Sequence, residues 1–215
     1  MKLTDDIYRF EGMRGVNAYA VLSDRDVTLV DTGFRGNADR ILGQLRELGY
    51  DPSDVHTIVL THGDGDHKGS AAALREATGA RLAIHEADAP TLTGAPYDRA
   101  TGFSGALFRA ASAVLKSPPL QPDILLHDGD TISGFHVHHL PGHTLGSIVL
   151  ERDDGVVFSG DTLNGDAHGR PALPAKGLAY DHGQALESAA AIEALDYTLL
   201  LPGHGEPVRA KRGTG

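Results

Sequence analysis

The chain has 215 residues, with 29 Asp and Glu against 19 Lys and Arg, and it contains neither Cys nor Trp. That length suits one large domain or two small ones, and we read it as a single domain over 1–215. The lack of Cys excludes disulfides, thiolate metal ligands and thiol nucleophiles. A formal charge of −10 argues against a nucleic-acid partner. The N-terminal residues lack an apolar core of signal-peptide length, and no apolar run approaches the roughly 18 residues needed to span a membrane. A cytoplasmic protein with a small-molecule substrate and no membrane contact is therefore expected.

Apolar runs bounded by turn residues place strands at 7–10, 18–22 and 27–30, the last two joined by Asp24-Arg25-Asp26. Asp31-Thr32-Gly33 ends the third. Asn37 is a candidate N-cap for a helix reaching Leu48, with Ile41, Leu42, Leu45 and Leu48 on one face and Gly49 as its stop. A strand at 57–61 follows, then a Gly-rich loop, a helix over 70–78 and a strand at 81–84 ending on His85. Residues 86–122 are rich in Pro and Gly around one helix at 106–116, whose stripe Phe103, Leu107, Val114 and Leu115 could serve core packing, an active-site cover or a homodimer contact. Strands resume at 123–126, 131–132 and 135–140. A hairpin over 147–150 and 156–158 runs into Ser159-Gly160-Asp161-Thr162. A loop containing Pro171 and Pro174, a helix over 184–195 and a strand over 197–201 complete the chain as far as Pro202-Gly203-His204-Gly205.

The order repeats. The first half reads hairpin, Asp31-Thr32-Gly33, helix, strand, His62; the second reads hairpin, Gly160-Asp161-Thr162, helix, strand, His204. Two such halves facing each other would bring their strand-end loops to one edge, where ligand sites of layered α/β folds tend to sit.

The chemistry concentrates in Thr61-His62-Gly63-Asp64-Gly65-Asp66-His67. His62 and His67 are five apart and would lie off a common helical face. Gly63 and Gly65 permit a tight loop that turns two imidazoles and two carboxylates toward one point. Such a donor set suits a metal, although a polar turn before a helix is the plainer alternative. His143, Asp161 and His204 each follow an apolar strand in a Gly-flanked turn.

Taken together these segments resemble the metallo-β-lactamase superfamily, whose pattern is T-H-x-H-x-D-H, then G-H-T, G-D and G-H. The matching segments here are 61–67, Gly142-His143-Thr144, Gly160-Asp161 and Gly203-His204. The resemblance implies an α/β fold, a four-layer αββα sandwich of two pseudo-duplicated halves. It also implies two divalent metal ions. His62, the position of Asp64, and His143 would hold one; Asp66, His67 and His204 would hold the other; Asp161 would bridge them. A hydroxide shared by the two metals would be the nucleophile, and Asp66 the catalytic residue that orients it and passes a proton to the leaving group.

Asp64 departs from the family, which usually has His there. With Asp64, Asp66, Asp161 and hydroxide, four negative charges meet two divalent cations, and a neutral cluster should acidify its water less. The extra oxygen donor tilts the site from zinc, still the first expectation, toward iron or manganese; the flavodiiron branch resembles this chain in placing Glu there. A glyoxalase-II-like or lactonase-like hydrolase of a small ester, lactone or thioester is expected. The alternatives are an iron-dependent oxidoreductase of the persulfide dioxygenase kind, a phosphodiesterase, or a non-catalytic metal-binding or ligand-sensing protein. His85, His168 and His182 are candidate substrate contacts. Asp88 reads as pocket lining or a surface turn, Asp31 as a turn stabiliser with no His nearby, His139 as structural, and Lys68 as solvent-facing.

Overall fold

The computed structural model describes residues 1–94, 118–173 and 176–210. The expected helix over 106–116 and its apolar stripe lie outside the described residues.

Two six-stranded sheets dominate. In the first, β1 (Ile7–Arg9), β2 (Tyr19–Ser23) and β3 (Asp26–Val30) pair antiparallel, and β4 (Val55–Val59), β5 (Arg81–His85) and β6 (Ile124–Leu126) continue in parallel. The crossovers are α1 (Ala38–Glu47) between β3 and β4, and α2 (Ala71–Thr78) between β4 and β5. A short helix, α3 (Ala89–Leu92), follows β5.

The second sheet holds β7 (Thr131–Ile132), β8 (Phe135–His139), β9 (Ile148–Glu151) and β10 (Val156–Gly160), then β13 (Leu199–Pro202) and β14 (Val208–Arg209). A small hairpin, β11 (Asn164–Gly165) with β12 (Pro171–Ala172), and α4 (His182–Glu193) lie between β10 and β13. The repeat is visible in the pairing. An antiparallel hairpin leads through α1 to parallel β4 in one sheet, and through α4 to parallel β13 in the other.

The strands are apolar on both faces because both faces are covered. Leu29, Ile58, Leu82 and Ile84 pack against Ile41, Leu45 and Leu74 of the helices. Their neighbours Val30, Val59 and Ala83 point the other way, into a core shared with Ile148, Leu150, Phe158 and Leu201 of the second sheet. Val149, Val157 and Leu200 face outward onto Ala189 and Ile192 of α4. Three cores separate four layers, the αββα order expected.

Element ends shift by a residue or two. Leu48 caps α1 and is exposed rather than part of its buried face. The Asn37 side chain makes no capping bond; its backbone N–H donates to Ser70 Oγ instead. Helix α4 starts at His182 because the Asp181 carboxylate accepts from Gln184 N and supplies the N-cap.

Candidate metal centre

The loop after β4 carries four of the seven candidate ligands. Leu60 still packs in the core, and the chain then turns tightly around Asp64, whose carbonyl accepts from the N–H groups of His67 and Lys68 at 3.0 and 2.9 Å. Thr32 pins the far end, its N–H and hydroxyl both donating to His67 O at 2.7 Å. His143 comes from the β8–β9 loop, Asp161 directly follows β10 and His204 follows β13. All seven side chains thus reach one edge of the two sheets from strand ends.

Three overlapping groups form there: His62 with Asp64 and His143; His62 with His67 and Asp161; and Asp66 with His67 and His204. Within each group, one ligand atom per residue lies within 4.8 Å of the others. Asp161 stands between the outer two, with Oδ2 3.3 Å from His143 Nε2 and 3.2 Å from His204 Nε2, and Oδ1 3.4 Å from His67 Nε2. Asp64 Oδ2 is 3.2 Å from His143 Nε2 and 3.4 Å from His62 Nε2. The His62 ring lies 4.0 and 4.9 Å, centroid to centroid, from those of His67 and His143.

These spacings suit a shared cation. Donors about 2.0–2.1 Å from a tetrahedral ion stand roughly 3.3 Å from one another. His62 Nε2 is buried without a hydrogen-bond partner among the described residues, an arrangement that buried polar atoms avoid unless something else satisfies them. The donor set of imidazole and carboxylate is one that zinc, iron and manganese all accept.

The electrostatics agree. Burial alone would raise the Asp161 pKa, but the charge of His67 and hydrogen bonds from His204 and His67 hold it well below the usual carboxylate range. Asp66 is likewise lowered, burial being outweighed by the His204 bond and the His67 charge. Burial would lower His67 and His204, yet facing carboxylates hold His67 well above its ordinary value and raise His204 to about 10. His143 is lowered, burial there outweighing the bond to Asp64.

The substrate candidates fall outside the three groups. His85 is buried at the end of β5 and stacks on His139 at 3.8 Å, while His139 Nε2 faces Leu145 O. His168 is exposed, its N–H donating to Asp166. His182 opens α4, two residues after Tyr180, whose N–H donates to His143 O.

Three expectations are corrected. Asp31 does have a histidine beside it: Oδ2 accepts from His67 Nδ1 and from Thr61 Oγ1, both at 2.8 Å, and Oδ1 accepts from Thr61 N. A carboxylate there fixes the His67 tautomer and leaves Nε2 facing the cluster. Asp88 is fully buried rather than in a surface turn. Lys68 is half-buried, donating to Thr91 O of α3 at 2.6 Å. The repeat paired Asp31 with Asp161, and that pairing was the available signal for it; Asp88 carried none.

Residues 12–204 match the metallo-beta-lactamase superfamily, and the chain belongs to that family. An uncharacterized Mycobacterium leprae protein is 34% identical over 205 residues, covering 90% of this chain and 88% of its own. A probable metallo-hydrolase of Bacillus subtilis is 30% identical over 213 residues, covering 85% of this chain and 76% of its own. Among solved structures, the protein TTHA1623 in a di-iron-bound form superposes with a TM-score of 0.71 at 28% identity, over 90% of this chain and 89% of that one.

Proposed function

We propose that the protein is a hydrolase that uses two divalent metal ions to cleave a small ester, lactone or thioester. The observation that carries this reading is Asp161, whose two oxygens face His143 on one side and His67 and His204 on the other at 3.2–3.4 Å. His62, Asp64 and His143 would hold one ion, Asp66, His67 and His204 the other, with Asp161 between them. Bound there, such ions activate water at neutral pH and polarise the scissile carbonyl.

The chain's own contribution is orientation and proton handling. The Asp66 side chain is 24% exposed, against 6% for Asp64 and 9% for Asp161, so it is the carboxylate of the cluster that meets incoming substrate. Its carboxylate would take a proton from the attacking water and pass it to the leaving group. Asp31 keeps His67 aimed inward. His204 is held by Nδ1 donating to Gly15 O at 2.7 Å.

The test is a panel of lactones, thioesters, phosphodiesters and β-lactams, offered to protein reconstituted separately with zinc, manganese and iron. Turnover of an ester, lactone or thioester is expected, and it should disappear in His62→Ala and Asp161→Ala. Activity that survives both substitutions refutes the mechanism. A second reading, iron-dependent oxidation, is favoured by the oxygen donor Asp64 and by the two irons of TTHA1623. Oxygen consumption by the iron-loaded protein separates the two.

A further inference from the structure

Asp88 belongs to none of the three ligand groups, yet it is 1% exposed and immediately precedes α3. Its Oδ2 accepts from Gly63 N at 2.7 Å and from Thr144 Oγ1 at 2.8 Å, and its Oδ1 accepts from Gly146 N at 2.8 Å. Gly63 separates His62 from Asp64, and Thr144 follows His143. One carboxylate therefore joins two loops that arrive from different sheets, one after β4 and the other between β8 and β9.

The approach is close enough to exclude side chains. A Cβ on Gly146 would lie 2.7 Å from the Asp88 Cβ, Cγ and backbone nitrogen, and a Cβ on Gly63 would collide with the Thr91 hydroxyl. That hydroxyl donates to Asp88 O at 2.7 Å, tying α3 into the same knot. On the far side, Ser147 Oγ accepts from Thr144 N at 3.0 Å and lies 2.8 Å from Thr144 Oγ1, which closes the loop behind His143. His67 and His204 are supported elsewhere, by Asp31 and by Gly15 O.

We propose that Asp88 is a positioning residue that holds His62, Asp64 and His143 at ligand spacing, so that divalent-cation binding by this group depends on it and binding by Asp66, His67 and His204 does not. The proposal rests on the metal reading given above. Asn at this position would present an amide N–H₂ to a backbone N–H that now donates to a carboxylate oxygen, so at least one of the two loops must move.

The test is a cobalt(II) absorption titration of metal-free protein in two backgrounds. His204→Ala leaves the first group complete, and His143→Ala leaves the Asp66–His67–His204 group complete. Adding Asp88→Asn should weaken cobalt binding about 10–100-fold in the His204→Ala background, the usual range for a group that orients a ligand. In the His143→Ala background it should change binding by no more than about 2-fold, because the Asp88 bonds run to Gly63, Thr144 and Gly146 and not to Asp66, His67 or His204. Thr144→Val removes one of the three bonds, leaves the carboxylate in place, and should show the same selectivity with a smaller loss; it carries the test if Asp88→Asn does not fold. Equal weakening in both backgrounds would make Asp88 a general structural residue and overturn the proposal, as would no weakening in either. Wild-type protein that takes up no cobalt overturns the metal reading itself, a distinct result, and the proposal falls with it.

Discussion

Replacing Asp31 with Asn isolates the support of His67 from the backbone that carries it. Asp31 sits at φ +60°, a left-handed conformation that Asn tolerates better than most residues, so the turn should survive. The side chain loses one acceptor. Oδ1 can still accept from Thr61 N at 2.9 Å, but the group replacing Oδ2 cannot accept from Thr61 Oγ1 or His67 Nδ1, both 2.8 Å away. Each bond to a charged acceptor contributes about 1.5–3 kcal/mol, and rotation of the Thr61 hydroxyl recovers part of one, which leaves a destabilisation of about 2–4 kcal/mol. A second effect follows from tautomer choice. If Nδ1 accepts from the new amide, the ring proton moves to Nε2, the atom facing Asp161 and Asp66, and cation binding by His67 should fall about 10–100-fold. Urea denaturation of metal-free protein measures the first effect and cobalt titration the second. A stability change under about 0.5 kcal/mol with unaltered cobalt affinity would refute the reasoning.

Three further outcomes are expected. The folded-state pKa of His204 is raised from 6.5 to about 10, so the stability it contributes is fully present below 6.5 and lost as pH rises through about 10; that of His67 is raised too, and its contribution is lost in the same direction. The metal-free protein should lose stability across that window while cation affinity rises, because both imidazoles must shed protons to bind; affinity independent of pH there would contradict the assignment. Phe158 is fully buried between the sheets, edge-on to Tyr19 and Phe135 at 5.4 and 5.5 Å, so Phe158→Ala should cost about 3–5 kcal/mol in urea denaturation, and a loss under about 1.5 kcal/mol would show that core to be loosely packed. Asp64→His should keep the fold and shift metal preference toward zinc; unchanged preference and stoichiometry in competitive metal analysis would count against Asp64 as a ligand.

What could be read from the sequence tracks how local the cause was. Strands such as Val27-Thr28-Leu29-Val30 and Leu199-Leu200-Leu201 announce themselves by β-branched and apolar runs, and their unbroken apolarity follows from having a covered face on each side. Ligand candidates were legible because each sits in a Gly-flanked turn at a strand end. The N-cap of α4 was missed because His182 and Gly183, in the first turn, are polar and small and do not mark a helix start, and the β11–β12 hairpin because Asn164-Gly165 and Pro171-Ala172 carry no β-branched or aromatic residue. Asp31, Lys68 and Asp88 owe their roles to partners far along the chain: Asp88 meets Gly146, 58 positions away, and no spacing rule reaches across two sheets. The stacking of His85 on His139 has the same origin.

Metal content per chain tests the central claim most directly. Purified protein saturated with zinc, manganese or iron and freed of loosely held ions should retain two per chain, fall to one in His143→Ala, and lose most of both in Asp161→Ala, whose carboxylate faces both sets of imidazoles. Retention of both ions in Asp161→Ala, or no retained metal in the unmodified protein, would contradict it.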